Sequence, residues 1–357
     1  MNRFMIICAA TLTLAACTKD DLKDNSKGKV IDFRATTVTK ATETTSLNFD
    51  SFTCTALTAN GAYHFDNELF ERTGTYYNSA TEYYWPTNGA ALNFYAWHPK
   101  ASNLGGTLTI THSEKKLSGF KVNDDISEQQ DFISAVATGN GVEHATGLEL
   151  NFNHNLSQIE VKSRTANPGY IYKIKGVRFG NIFSTGDFDF DTGTWSNLNT
   201  KITYTVTYNT AVTIDELSTS VMKENGDNAM FIPQGLTAWD PVNDPTNSSG
   251  GAYIAVRARI TTATGLIIYP LNEEDYDWIA VPLGNNDITN WESGYRYTYT
   301  LDWSTGGGYV YPEKPAYDEG YTGVDIFDAG EKIMATPITL ELSVTGWSQQ
   351  SSKELDM

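Results

Sequence analysis

The chain has 357 residues, with 43 acidic against 25 basic side chains and a formal net charge of −18 at pH 7. So acidic a surface repels nucleic acid and anionic lipid headgroups, and no basic run in the sequence argues for nucleic-acid binding. Of the three cysteines, Cys8 and Cys17 lie in an apolar N-terminal stretch and Cys54 stands alone, which excludes an intrachain disulfide or a cysteine metal cage in the body.

The first element is Arg3 followed by an uncharged apolar run from Phe4 to Ala16, ending in Leu14-Ala15-Ala16-Cys17. A basic start, an apolar core of ~7–15 residues and a small-residue cleavage site describe a signal peptide over residues 1–16, too short to span a bilayer. The cysteine after Leu-Ala-Ala resembles the lipobox of bacterial lipoproteins, which implies lipidation at Cys17 and a globular body held on the membrane by a lipid anchor only. No other segment reaches the ~18 apolar residues of a spanning helix. Residues 17–29 are charged and read as a tether. Within them Lys19-Asp20-Asp21 resembles a surface-export signal of lipoproteins, although a solvated linker explains the triplet equally well.

From Val30 onward the pattern is that of an all-β protein. Val30-Ile31-Asp32-Phe33 is a first short strand, and a Thr-rich loop with Lys40 in its middle follows. Strands are expected at 49–57, 62–70, 81–85, 91–97, 107–111 and 131–136. In the second half they are expected at 148–152, 157–163, 172–179, 186–190, 201–208, 229–233, 252–261, 266–269, 278–283, 295–303 and 338–347. Each is short, aromatic or β-branched, and bounded by Gly, Asn, Pro or Ser. Such a cadence belongs to sandwiches and barrels. Only Thr213 to Glu224 reads as a short helix. A polar, Gly-containing stretch between Thr138 and Gly147 marks the expected seam, dividing the body into residues 30–145 and 146–357.

In Leu92-Asn93-Phe94-Tyr95-Ala96-Trp97 the alternation sets Leu92, Phe94 and Ala96 on one face and Tyr95 and Trp97 on the other. A buried core strand is expected in preference to an aromatic glycan platform. His64, His98, His112, His144 and His154 are scattered, with no metal-ligand spacing, so no metal or cofactor is expected. Asp187, Asp189 and Asp191 alternate as in a calcium loop, but Thr192 and Leu198 stand where that loop needs Gly and Glu. Strand alternation, with Asp outside and Phe188 and Phe190 inside, explains them better. The acidic runs at 240–244 and 273–275 are too unconstrained to define a glycosidase pair, and no nucleophile elbow or P-loop occurs. No enzyme is indicated.

The last strand has the cleanest period of two: Ile338, Leu340, Leu342 and Val344 alternate with Thr339, Glu341, Ser343 and Thr345. It follows a Gly- and Pro-rich connection from Ser304 to Thr336 that spans on the order of 100 Å when extended.

Several stretches, in order, resemble the fimbrillin family of type V pilus subunits. They are the lipobox, Tyr83-Tyr84-Trp85-Pro86 with the strand ending at Trp97, and Leu150-Asn151-Phe152-Asn153-His154-Asn155-Leu156. Phe231-Ile232-Pro233-Gln234, Gly294-Tyr295-Arg296-Tyr297-Thr298-Tyr299 and Gly346-Trp347 complete the set. The resemblance implies two transthyretin-like β-sandwich domains and a structural or adhesive pilus subunit, exported to the outer membrane as a surface-exposed lipoprotein. It also implies a trypsin-like cut near the N-terminus that removes a first strand, whose groove then accepts a strand from another subunit. Lys40 is the expected cleavage site, departing from the family's usual arginine, which leaves open an uncut anchor or tip role. The expected donor is 336–347, with Ile338, Leu340, Leu342 and Val344 as its inward residues, the alternative being a final strand that simply closes the second domain. Other pilus subunits, together with a host or bacterial surface ligand, are the expected partners. The rival expectation is a surface glycan-binding lipoprotein that does not polymerise, for which 16 Phe, 8 Trp and 20 Tyr would also serve. The two differ in whether the aromatics are buried or exposed on one concave face.

Overall fold

The structure is a computed structural model that describes residues 28–36, 49–222, 228–271, 276–284, 289–314 and 327–347. These residues form strands and no α-helix, with short 3-10 turns at Ala101–Asn103 and Ile126–Glu128. The strands are β1 (Phe33–Thr36), β2 (Ser51–Thr58), β3 (Tyr63–Thr73), β4 (Tyr76–Ser79), β5 (Leu92–His98), β6 (Thr107–Ile110) and β7 (Lys115–Lys121). Next come β8 (Ile133–Gly139), β9 (Leu148–Asn151), β10 (Asn153–His154), β11 (Ser157–Arg164), β12 (Tyr170–Asp189), β13 (Thr194–Thr213) and β14 (Thr219–Ser220). The remainder are β15 (Ala229–Phe231), β16 (Tyr253–Thr262), β17 (Ile267–Tyr269), β18 (Asp277–Pro282), β19 (Tyr295–Asp302), β20 (Tyr309–Val310) and β21 (Thr339–Gly346).

The first sheet runs β10-β8-β5-β2-β3-β4-β1-β9. Only Phe152 separates β9 from β10, so both ends of that order belong to one bent segment and the sheet rolls around its own core. Phe33, Phe52, Phe70, Phe94 and Phe152 fill this core. The alternation expected in β5 holds. Leu92, Phe94 and Ala96 point inside, while Tyr95 and Trp97 lie on the opposite face against the main core.

The second sheet runs β14-β11-β19-β21, with β15 also on β11 and β19 parallel to it. The third runs β20-β18-β16-β12-β7-β6, with β13 on β12 and β17 on β16. The main core lies between these two sheets and meets the back of the first at Leu57, Tyr95 and Trp97. Strand pairing crosses residue 145, the expected seam, in both directions. The β6–β7 hairpin joins β12 through β7, and β9 and β10 pair with β1 and β8.

Sequence and structure differ most at β12, expected as two strands and found as one. Its inward residues change parity at two of its three irregularities: Tyr172 and Ile174, then Val177 and Phe179, then Ile182 and Phe188. A bulge adds one residue and so reverses which positions face the core. β7 escaped notice because only Leu117 and Phe120 of its seven residues are buried, with Gly119 between them. The helix expected from Thr213 is replaced by the end of β13, a turn and β14. Asp215 Oδ1 accepts the amide of Leu217 at 2.8 Å, a local bond that competes with helix formation.

Candidate assembly site

The first strand occupies a lane in the rolled sheet. Leading into it, the Ile31 amide donates to Tyr83 O at 2.8 Å and the Trp85 amide to Lys29 O at 2.9 Å. On the other side, the Leu148 amide donates to Asp32 O at 2.9 Å, and β1 continues parallel to β9 from Phe33↔Leu148 to Thr36↔Asn151. Ile31 and Phe33 point inward, and the Phe33 ring lies 5.7, 4.8 and 5.2 Å from those of Phe52, Phe70 and Phe94. Burying a side chain of this kind contributes roughly 1.5–3 kcal/mol, so Ile31 and Phe33 tie the first strand to the core. Arg34 is exposed and donates to Tyr76 Oη at 3.0 Å, while its backbone lies in register with Glu149. Cys17 and Lys40 fall outside the described residues.

At the other end of the chain, β21 is the terminal strand of the second sheet and pairs with β19 from Tyr295↔Gly346 to Asp302↔Thr339. Ile338 is buried, Leu340 and Leu342 are half-buried against the main core, and Val344 is 38% exposed. The apolar edge of this strand is therefore progressively less covered toward its C-terminal end. Glu341 accepts from Arg164 at 2.6 Å, and Arg164 also reaches Asp302 at 2.9 Å. At the entry to the strand, a β-carbon on Gly306 would lie 2.2 Å from the carbonyls of Thr336 and Pro337, so only glycine permits that approach.

Trp347 fastens the far end, and sequence reading missed its contact. Its ring stacks on His154 at 4.2 Å and 8°, and its amide donates to Gly294 O at 2.7 Å. His154 is buried and pairs through Nδ1 with Asp131 Oδ2 at 2.8 Å, so it is a satisfied polar residue of the core. No sequence period flags a contact between an isolated histidine and a terminal tryptophan.

Elsewhere the acidic groups have structural partners. Asp187 meets Lys116 at 2.9 Å, the Asn197 amide at 2.8 Å and the Gly119 backbone at 2.7 Å. The bond from Asn197, then those from Lys116 and Gly119, hold its carboxyl down at about 2. Asp189 accepts from Thr192, and Asp191 from Tyr95 and Lys115. The Asn243 side chain and local backbone amides depress the Asp240 carboxyl, and the amides and hydroxyls of Ser249 and Ser248 depress that of Asp244. Residues 273–275 lie outside the described residues. Among the described residues, no cluster of three His, Cys, Asp or Glu is placed to hold a metal. Trp85, Trp97, Trp239, Trp278, Trp291, Trp303 and Trp347 are buried and Trp195 is half-buried, so the tryptophans form no exposed platform.

Rolled and layered sheets, with an apolar strand lane at one end of the chain and a thinly covered edge strand at the other, define an all-β fold class. The profile of fimbrillin-like proteins matches residues 21–310, and the chain belongs to this family. The match stops short of β21. Membership assigns a fimbrial or adhesive role at the cell surface and no catalytic one. No curated protein matches the sequence. A crystal structure of a fimbrial protein from Bacteroides vulgatus has a similar fold. It is 13% identical, with a TM-score of 0.60, and the alignment covers 90% of this chain and 100% of that one. A fimbrilin from Porphyromonas gingivalis is 11% identical with a TM-score of 0.49, covering 90% and 98%. A candidate cell adhesion protein from Bacteroides uniformis is 14% identical with a TM-score of 0.49, covering 89% and 99%.

Proposed function

We propose that the chain is a type V pilus subunit, lipidated at Cys17 for display on the outer membrane and assembled by proteolysis-triggered strand exchange. Cleavage after Lys40 severs the first strand from the body, and the lane of residues 30–36 then receives residues 336–347 of a second copy. The observation that carries this reading is the match between lane and donor. Ile31, Phe33 and Ala35 point inward at alternate positions of the outgoing strand. Ile338, Leu340, Leu342 and Val344 repeat that spacing in a terminal strand that is only half-covered at home. Strand addition needs this period, because backbone groups pair with the open edges while alternate side chains fill pockets. The burial of the tryptophans speaks against the rival, a glycan-binding lipoprotein that does not polymerise.

Limited trypsin treatment of the purified protein tests the proposal, with mass spectrometry to find the cut and electron microscopy to look for polymers. A cut after Lys40 followed by filaments is the expected result. An intact 37–48 segment, or cut protein that stays monomeric, overturns it.

A further inference from the structure

β13 lies at an edge of the third sheet: among the described residues it pairs with β12 alone, along its whole length from Thr194 to Thr213. An edge strand turns a row of backbone N–H and C=O groups outward, and proteins ordinarily blunt that row with charge, proline or bulges. From Ile202 to Tyr208, β13 holds no charged residue, proline or glycine. Its own irregularities lie toward its ends. Asn197 and Thr200 take positive φ of 52° and 58°, and the register with β12 shifts beyond Thr207. The irregularity opposite Thr203 is carried by β12, where Asn181 has a φ of 58°. Lys201, the one charged residue of β13, is turned back on its own molecule, and its Nζ donates to Gly250 O at 2.7 Å.

Within this stretch, Tyr204-Thr205-Val206-Thr207-Tyr208 reads the same in both directions. A strand with that property is its own antiparallel complement. Pairing about a two-fold axis at Val206 sets Tyr204 opposite Tyr208, Thr205 opposite Thr207 and Val206 opposite Val206 of a second copy. Aromatic and β-branched residues directly opposite one another stabilise antiparallel strands, and no like charges are opposed. Tyr204 and Tyr208 are buried in the main core, whereas Val206 between them is only half-buried. Thr203, Thr205 and Thr207 are exposed on the outer face.

We propose that β13 is a self-association edge, at which two copies of the chain pair antiparallel about Val206 and continue their third sheets into one. The symmetry of the run identifies the partner as a second copy. An isologous contact sets residue i against j and j against i, which a run that reads alike in both directions satisfies with one sequence. Charge agrees with this choice. Two bodies of net charge −18 repel each other, so they can meet only where no acidic side chains face across the contact. Screening beyond about 8 Å at physiological ionic strength then leaves the local pairing to decide. The edge uses neither the lane of the first strand nor β21, so it is open to cut and uncut chains alike.

The test is analytical sedimentation of the uncut, full-length protein over a range of concentrations, so its outcome is independent of strand exchange. A reductant keeps Cys8, Cys17 and Cys54 from cross-linking copies. A reversible dimer that tightens as salt rises is the expected result. Thr205→Glu/Thr207→Glu sets like charges opposite each other on both sides of the axis and should raise the dimer dissociation constant about tenfold or more. Thr205→Glu/Thr207→Lys sets opposite charges at the same places and should restore the dimer. Both positions are exposed, and Thr205→Glu keeps an acceptor for Arg178 Nε, which donates to Thr205 Oγ1 at 3.3 Å. Thermal melting shows that each variant monomer folds. A parent that stays monomeric at concentrations on the order of 1 mM overturns the proposal. Equal dimerisation of the two variants overturns it as well, and so does a Thr205→Glu/Thr207→Lys variant that stays monomeric.

Discussion

At the first core, the Phe94 ring sits 5.2 Å from Phe33 and 5.5 Å from Trp85, with no exposure to solvent. Phe94→Ala leaves a cavity that its rigid aromatic neighbours fill poorly and should cost ~3–5 kcal/mol, measured by denaturant unfolding of variant and parent. A loss of glycan binding with unchanged stability would instead revive the platform reading. Asp187 supplies a pH signature. Its carboxyl ordinarily titrates at 3.8 and is held at about 2 in the fold by Asn197, Lys116 and the Gly119 amide. The lowered value means that its stabilisation is complete above pH ~4 and disappears as pH falls through ~2. Asp187→Asn should therefore melt below the parent at neutral pH, with the gap closing across that window. Equal gaps at both ends of the window would show that the charge contributes nothing. Both residues were legible in the sequence, Phe94 by its period and Asp187 by its alternation with Phe188. The partners of Asp187 were not, because Lys116 and Gly119 come from a distant hairpin.

Among the elements, β21 as the proposed donor allows folding and assembly to be tested separately. Val344 is 38% exposed at home, so Val344→Asp should change monomer stability by less than about 0.5 kcal/mol. The same carboxylate carried into an apolar lane meets a desolvation cost, so the cut variant should fail to form filaments by electron microscopy. Leu342→Asp should block polymerisation too, with a greater loss of monomer stability because Leu342 packs against the core. Filaments of normal length from either cut variant would exclude β21 as the donor. The alternation of this strand could be read directly. Its terminal position could not, because which strand ends a sheet depends on pairing between residues far apart in the chain.

For the whole molecule, lipidation at Cys17 predicts that Cys17→Ser releases the protein from the membrane fraction or leaves the signal uncleaved. Continued membrane retention at the normal mature mass would refute the anchor. An all-β class and the period-two core strands were legible in the sequence, because each is a local pattern of residue types. The closure of the first sheet through Phe152 was not, nor was the crossing of the expected seam by β6–β7. Bulges reverse side-chain parity, and pairing partners lie tens to hundreds of residues apart. The same limit hid the edge at β13: a strand was legible at 201–208, but only the pairing of the third sheet leaves it a neighbour on one side alone among the described residues. Composition alone determined that the chain is acidic, while the sheet decided which uncharged strand lies at its edge.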